Sequence, residues 1–204
     1  MSTSPRQPRQ DRSQKTADRV VEATLELIQL EGLGAVTIAA VAKKAESTNG
    51  SIYHLFGDKQ TLVDQAQTLF LERLEKDLYS GISESAMLPT LDKVVFRICE
   101  TFVAAFSQHA GLLRAFLVEG RNVASLRNRG TETALRTERL AVSVLKSRSD
   151  CDEASAVWAV YLMISAQINH LIFGEPMFMN SPPTTPGIFT EKLSESILRI
   201  IAPR

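Results

Sequence analysis

The positions of the prolines place the strongest limit on the fold of this chain. Eight prolines occur, and they leave residues 9–88 and 90–175 free of proline. Proline removes a backbone donor and clashes with the preceding turn, so long helices need such stretches. Apolar residues recur through both stretches at three- and four-residue spacing, and no strand-like alternation is seen. The sequence therefore predicts an all-α fold.

Three polar residues mark predicted helix starts in the amino-terminal part. Thr37, Thr48 and Asp58 each precede an apolar segment, where a side-chain oxygen can accept a hydrogen bond from a free amide. The first helix is predicted over residues 13–30, because Gly32 follows its apolar pattern as a stop signal.

Further helices are predicted after a loop around residues 80–89. They lie near residues 91–106, 112–119, 124–148, 152–173 and 188–201. The break between the second and third of these falls near residues 120–122 or at Gly130. Asp150 with Glu153 resembles a capping box for the next helix. Residues 174–187, rich in proline, are predicted to form a loop.

Cysteine usage and hydropathy indicate a cytoplasmic protein. Cys99 and Cys151 lie far apart and match no metal or redox spacing. The first 15 residues are polar, unlike a secretory signal. The longest apolar stretch, residues 156–168, contains Ser165 and Gln167 and is too short to cross a bilayer. We therefore expect no membrane partner.

The most specific motif lies at residues 37–59, which read TIAAVAKKAESTNGSIYHLFGDK. Two short helices joined by a tight turn are predicted here, with apolar Ile52 and Phe56 buried against the first helix. This is the layout of a helix-turn-helix, whose second helix can lie in the major groove of DNA. A short helix pair that only packs a core is the alternative interpretation.

The motif resembles the amino-terminal domain of the tetracycline-repressor (TetR) family of transcriptional regulators. That family reads Ala-Gly-Val-Ser-x-Gly-x-Leu-Tyr-x-His-Phe followed by x-x-Lys-x-x-Leu, where this chain reads AESTNGSIYHLF and GDKQTL. The resemblance implies a three-helix DNA-binding domain followed by a helical domain for ligand binding and dimerisation. The corresponding boundaries are a flexible basic arm at residues 1–12, a DNA-binding domain at 13–58 and an effector and dimerisation domain at 59–204.

The resemblance also implies roles for individual residues. Phosphate contacts fall to Thr37, Thr48, Tyr53 and Lys59, and base contacts to Asn49, Ser51 and His54. Asn is the most selective of the latter, since it can pair bidentately with adenine. Gly50 allows the helix start to approach the DNA backbone. Lys44, with Lys43, either contacts the backbone or complements the dipole at its helix end.

The neutral net charge and Glu46, one of three departures from the family pattern, support a competing hypothesis. The net charge is zero, although residues 1–19 hold five basic and two acidic side chains, which suits local phosphate contact. Glu46 replaces the usual turn glycine, Ser47 replaces a valine, and Leu55 replaces a His or Tyr. A left-handed Glu46 would cost about 1 kcal/mol. The alternative is a small-molecule sensor or protein-interaction module that does not bind DNA.

The family resemblance implies that the carboxy-terminal helices bind a small-molecule effector and form a homodimer through the helices near 152–173 and 188–201. A central core helix in a monomer is the alternative for the first of these. Five aromatic residues either line an effector pocket or belong to the plain core, namely Phe102, Phe106, Phe116, Trp158 and Tyr161. His109, Gln167 or His170 would supply the polar groups of such a pocket.

Residues 121–148 hold seven basic and two acidic side chains. They form either a site for an anionic effector or a solvated face paired with Glu72, Glu75 and Asp77. No G-x-G-x-x-G, P-loop, G-x-S-x-G or H-E-x-x-H motif is present, and the three histidines show no ligand spacing. We therefore predict no catalytic residues, no metal site and no cofactor.

Overall fold

The computed structural model describes residues 7–148, 151–173 and 185–201, and every regular element in these ranges is helical. The all-α prediction is confirmed. The α-helices in the described ranges are α1 Gln7–Glu31, α2 Ile38–Lys44, α3 Asn49–Phe56, α4 Lys59–Ser85, α5 Leu91–Gln108, α6 Ala110–Arg114, α7 Ala124–Lys146, α8 Glu153–Phe173 and α9 Pro186–Ile201. Shorter turns are a 3-10 turn at Leu33–Ala35, a π turn at Ala115–Glu119 and a 3-10 turn at Gly120–Asn122.

Helix α1 begins at Gln7, earlier than the start at residue 13 that the sequence predicts. Residues 7–12 are helical, whereas the sequence placed them in an arm ending at residue 12. Pro8 lies in the first turn of α1, where the missing amide has no intrahelical acceptor in any case, so proline is tolerated there. The rest of the arm lies outside the described residues.

Other boundaries differ by a few residues. The predicted helix at 112–119 is an α-helical turn followed by the π and 3-10 turns, and the break falls at Gly120–Asn122 rather than at Gly130. Asp152 caps α8, since its carboxylate accepts the Ser155 N–H at 3.0 Å. The proposed cap Asp150 lies outside the described residues, as does most of the predicted loop at 174–187.

The chain forms two compact units, and the predicted domain boundary at 58/59 stays a prediction. The first unit combines residues 1–71 with residues 111–129, and the second combines 72–110 with 130–204. The boundary lies within α4, so that one helix contributes to both units. A cut at residue 58 would therefore divide the first unit.

The first unit is held together by contacts between its two chain segments. The rings of Phe70 and Phe116 stack with centroids 5.5 Å apart. Gln67, itself buried, donates to the Leu126 carbonyl at 2.8 Å. Arg129 bonds to the Gln67 side chain, and its guanidinium lies 2.7 Å from Asp64. Residues 111–129 thus complete the core around α4.

The second unit is a helix bundle in which α5 packs against α8 and α9. Helix α5 buries an apolar face that includes Val94, Ile98 and Phe102. Gly81 allows α4 to approach α5, because a Cβ there would lie 2.3 Å from the Thr101 hydroxyl oxygen. Close packing is therefore built into the glycine position.

Helix α8 is apolar around much of its circumference. Its residues 153–172 have a mean hydropathy of 1.3 and are long and apolar enough to span a membrane by length and composition alone. The sequence prediction considered only the shorter stretch at residues 156–168 and did not indicate a segment of this length. A helix packed in a bundle passes the same test, and α8 does pack on α5 and α9.

Candidate DNA-binding site

Helix α2 is fixed at its amino end by the predicted cap. The Thr37 hydroxyl accepts the Ala40 N–H at 3.1 Å. Thr37 itself is exposed at the helix start. Val41 and Ala42 are buried and anchor the opposite face. Burying a valine side chain contributes about 1.5–3 kcal/mol, so packing fixes the orientation of this short helix.

The turn between α2 and α3 has left-handed backbone at Glu46, with φ of 47°. The Ser47 N–H bonds to the Ala42 carbonyl at 2.9 Å, and the Glu46 N–H bonds to the Lys43 carbonyl at 3.4 Å. This pair of hydrogen bonds is a Schellman motif, which usually has glycine at the left-handed position. A non-glycine residue was expected in this tight turn, and the structure shows that its backbone is left-handed.

Helix α3 presents a polar face to solvent and an apolar face to the core. The Thr48 hydroxyl accepts the Ser51 N–H at 3.1 Å, as the predicted cap requires. Ile52 and Phe56 are buried, as predicted. The predicted DNA-contacting residues on this helix are exposed or half-buried, namely Asn49, Gly50, Ser51, Tyr53 and His54.

Helix α4 begins beside the exposed end of α3. Gly57 has φ of 79° and ends α3. The Asp58 carboxylate accepts the Thr61 N–H at 2.7 Å. This hydrogen bond lowers the pKa of Asp58 below its ordinary value. Lys59 follows as the first residue of α4 and is exposed, and none of the described ion pairs involves it.

Lys44 has a third role that the sequence did not indicate. Its ammonium group lies 2.7 Å from the Glu26 carboxylate of α1. The ion pair therefore links α2 to α1, while Lys43 remains exposed beside it. The assignment of Lys44 to DNA contact stays a prediction, and phosphate would have to compete with Glu26.

Comparison with known proteins agrees with this geometry. Residues 20–66 match the family described as "Bacterial regulatory proteins, tetR family". Residues 20–66 are therefore similar to the amino-terminal domain of this family. A 59-residue segment is 34% identical to the HTH-type transcriptional regulator BetI of Stenotrophomonas maltophilia (strain R551-3). That match spans 29% of this chain and 30% of BetI, so the chain aligns with less than a third of this relative.

Solved structures extend the similarity to the fold of almost the whole chain. A structure from Mesorhizobium loti MAFF303099, assigned to the TetR family of transcriptional regulators, has a TM-score of 0.77 at 14% identity, covering 94% of this chain and 98% of that one. A transcriptional regulator from Rhodococcus sp. Rha1 has a TM-score of 0.69 at 20% identity, covering 90% and 95%. The multidrug binding protein EbrR, complexed with imidazole, has a TM-score of 0.65 at 15% identity, covering 92% and 96%. The fold is therefore that of TetR-family proteins.

The aromatic residues predicted for a TetR-type effector pocket have different surroundings. Phe116 belongs to the first unit, where it stacks on Phe70. Phe102 and Phe106 are buried core residues of α5. Trp158 and Tyr161 are 59% and 56% exposed, with their rings edge to face. The two α5 rings are thus buried and the two α8 rings exposed, and the assignment of these residues to one effector pocket stays a prediction.

The three predicted polar groups also differ. His109 Nε2 lies 3.2 Å from the Asp77 carboxylate. The His170 ring stacks on Phe189 of α9 with centroids 4.6 Å apart. Gln167 is buried, and its Nε2 has no hydrogen-bond partner within the described part of the chain. A buried amide donor without an acceptor costs about 1–3 kcal/mol, which makes Gln167 the strongest of the three as a ligand-binding candidate.

Charged groups on α7 form pairs, which favours the solvated-face interpretation of residues 121–148. Arg136 contacts Glu75 at 2.6 Å, one of the pairings expected from the sequence. Within the described ranges, no group of three or more His, Cys, Asp or Glu residues is placed to hold a metal. Burial raises the pKa of Cys99 to about 12, which keeps this thiol protonated.

The residues that brace the helix-turn-helix from the segment after α5 have no counterpart among the site residues predicted from the sequence. Glu119 accepts the Leu33 N–H, and Gln29 accepts the Leu112 N–H. These contacts join residues more than eighty positions apart, so no local pattern indicates them. Gly32 and Gly111 are local signs of these contacts, since each allows a close approach.

Proposed function

We propose that this chain is a DNA-binding transcriptional regulator that binds a palindromic operator as a homodimer and acts as a ligand-responsive repressor. The observation that carries the proposal is the division of α3 between two buried anchors, Ile52 and Phe56, and an exposed polar face. A helix fixed in this way can enter the major groove with its amino-terminal residues at the base edges.

Gly50 gives independent support. A Cβ at this position would meet no atom of the described part of the chain within 4 Å, and the residue has no positive φ. Neither packing nor backbone geometry within the chain therefore requires glycine, which costs about 1 kcal/mol in a helix relative to Ala. Close approach of DNA phosphate to the helix start is a reason for it.

Lys59 supports phosphate contact by a similar argument. A cation in the first turn of α4 opposes the helix dipole. An anion at the same helix end relieves that conflict, and a helix amino terminus binds phosphate well. Tyr53 is exposed on the neighbouring α3. Its hydroxyl can donate a hydrogen bond to a phosphate of the DNA strand that Lys59 contacts.

The test is selection of duplexes from a random pool, followed by affinity measurements over a range of salt concentrations. Lys59→Ala should weaken binding to every duplex and reduce the salt slope by about one. Asn49→Ala should relax preference at one base position, by about 1–3 kcal/mol. Lys76→Ala, an exposed lysine further along α4, is the matched control and should bind as wild type.

Failure to recover any sequence with a folded protein would reject the regulator and favour the sensor or interaction module. Unchanged sequence preference in Asn49→Ala would reject the base-contact assignment while leaving DNA binding intact.

Homodimer formation is proposed through α8 and α9. Both helices expose large apolar side chains, including Trp158, Tyr161, Ile188 and Ile200. Aromatic residues dominate the energetics of protein interfaces. The double substitution Trp158→Ser with Tyr161→Ser should lower the sedimentation coefficient towards that of a monomer. Met87→Ser, at an exposed apolar residue in the turn after α4, should leave it unchanged.

A small-molecule effector is proposed to bind in the carboxy-terminal helices, with Gln167 Nε2 as a donor to a polar group of the ligand. EbrR, a protein of the same fold, is described as multidrug binding. Ligand binding would favour one separation of the two recognition helices and so loosen operator binding. Gln167→Leu should stabilise the ligand-free protein, because it removes the unpaired donor. A screen of small molecules should then find ligands that stabilise the wild type and do not stabilise Gln167→Leu.

A further inference from the structure

The loop between α1 and α2 determines where the helix-turn-helix begins. It contains Gly32, the 3-10 turn Leu33–Ala35 and Val36, and it ends at the cap Thr37. Gly32 has φ of 82°, and Val36 is fully buried. Because only this loop separates Thr37 from α1, its conformation sets the amino end of α2.

A carboxylate from a distant part of the chain holds this loop. Glu119 Oε2 accepts the Leu33 N–H at 2.8 Å. A Cβ on Gly32 would lie 2.6 Å from Glu119 Oε1, so the carboxylate occupies the space that any other residue would fill. The Leu33 N–H begins the 3-10 turn and has no acceptor within that turn, so the carboxylate acts as a cap from outside.

The segment that carries Glu119 is itself anchored on α1. Gln29 Oε1 accepts the Leu112 N–H at 3.0 Å. A Cβ on Gly111 would lie 2.3 Å from the Gln29 carbonyl oxygen, so backbone meets backbone here. All of these residues belong to the first compact unit.

The π turn Ala115–Glu119 lies between the two anchor points. Such turns are rare, and they recur at functional sites. The extra residue in a π turn sets the rotation of Glu119 about the helix axis, and Glu119 is the last residue of the turn. A regular α-helix through these residues would direct the side chain elsewhere.

We propose that Glu119 is a positioning residue for DNA binding, which holds the loop at residues 32–36 and thereby places Thr37 and α2 against the phosphate backbone. The inference rests on the proposed function, since it assigns to Glu119 a part in operator binding without contact to DNA.

The test compares Glu119→Ala and Glu119→Gln with wild type in two measurements. Amide hydrogen exchange over residues 33–40 reports the loop and the start of α2, and operator affinity reports binding. Glu119→Ala should increase exchange at Leu33 and weaken operator binding about tenfold, because a charge-assisted hydrogen bond is lost. Glu119→Gln keeps an acceptor oxygen and should retain affinity within about threefold. Glu132→Ala, an exposed glutamate on α7, is the control and should change neither measurement.

A double-mutant cycle separates positioning from general stability. The effects of Glu119→Ala and Thr37→Ala on operator affinity should be non-additive, because both act through the start of α2, whereas Glu119→Ala and Lys59→Ala should add. Additive effects in both cycles would overturn the proposal. Unchanged exchange at Leu33 in Glu119→Ala would also overturn it, whatever the DNA result. A wild-type protein that binds no duplex would instead reject the proposed function and the role of Glu119 in binding, while the exchange result would still show whether Glu119 holds the loop.

Discussion

Replacing Glu46 by glycine tests whether the turn of the helix-turn-helix stores backbone strain. Glu46 is the only non-glycine residue with positive φ in the described part of the chain. A Cβ in the left-handed region costs about 1–2 kcal/mol, whereas glycine loses about 0.5–1 kcal/mol more conformational entropy on folding. The two hydrogen bonds that close the turn use backbone atoms only, so either residue can form them. We therefore expect Glu46→Gly to raise the free energy of unfolding by about 0.5–1 kcal/mol relative to Glu46→Ala.

Glu46→Ala is the matched comparison because it removes the same carboxylate and keeps Cβ. A negative charge just after α2 opposes the dipole at that helix end, so both substitutions gain the same electrostatic term. Urea unfolding followed by far-UV circular dichroism gives the two free energies by linear extrapolation. Amide exchange in α2 and α3 locates the change. Equal stability of the two variants would refute the strain argument.

Three further predictions concern stability and reactivity. Gly111→Ala should destabilise the protein by about 1–3 kcal/mol, because the new Cβ would meet the Gln29 carbonyl. Gly130→Ala on α7 has open space for its Cβ and should stabilise the protein by about 1 kcal/mol. The urea midpoints of the two variants check both predictions. Because the pKa of Asp58 is lowered in the folded protein, its carboxylate stabilises the fold above the unfolded pKa of about 3.9. That contribution is lost as the pH falls through the folded pKa. A pH series of urea midpoints should therefore show a steeper acid decline in wild type than in Asp58→Asn. In a Cys151→Ser variant, which removes the other free cysteine, Cys99 with its pKa raised to about 12 should react with Ellman's reagent only after unfolding. Rapid reaction of the native variant would contradict the burial of Cys99.

The features that the sequence predicted correctly depend on local hydrogen bonds. Thr37, Thr48 and Asp58 cap their helices with amides three residues ahead, so a short motif is sufficient to identify them. The left-handed turn at Glu46 is equally local, since the tight turn between two helices requires it.

The features that it missed depend on tertiary contacts or on a helix without a single apolar face. Glu119 lies 86 residues from Leu33, and periodicity alone does not reveal that pairing. Helix α8 is apolar on several sides, so the sequence does not distinguish the buried Met163 from the exposed Trp158 and Tyr161. The sequence therefore supports the assignment of the helix caps better than the assignment of these aromatic residues to one pocket.

The discontinuous first unit also has a consequence for how the protein is made. During synthesis, residues 1–71 leave the ribosome well before residues 111–129, which complete the same unit. At about 5–20 residues per second, the interval is about 3–12 s. For most of that time, until Phe116 emerges, the face of Phe70 that Phe116 later covers remains open to solvent and to other nascent chains. A ribosome pause between residues 71 and 129 would prolong that exposure, and aggregation of stalled chains should decrease once the segment carrying Phe116 has emerged.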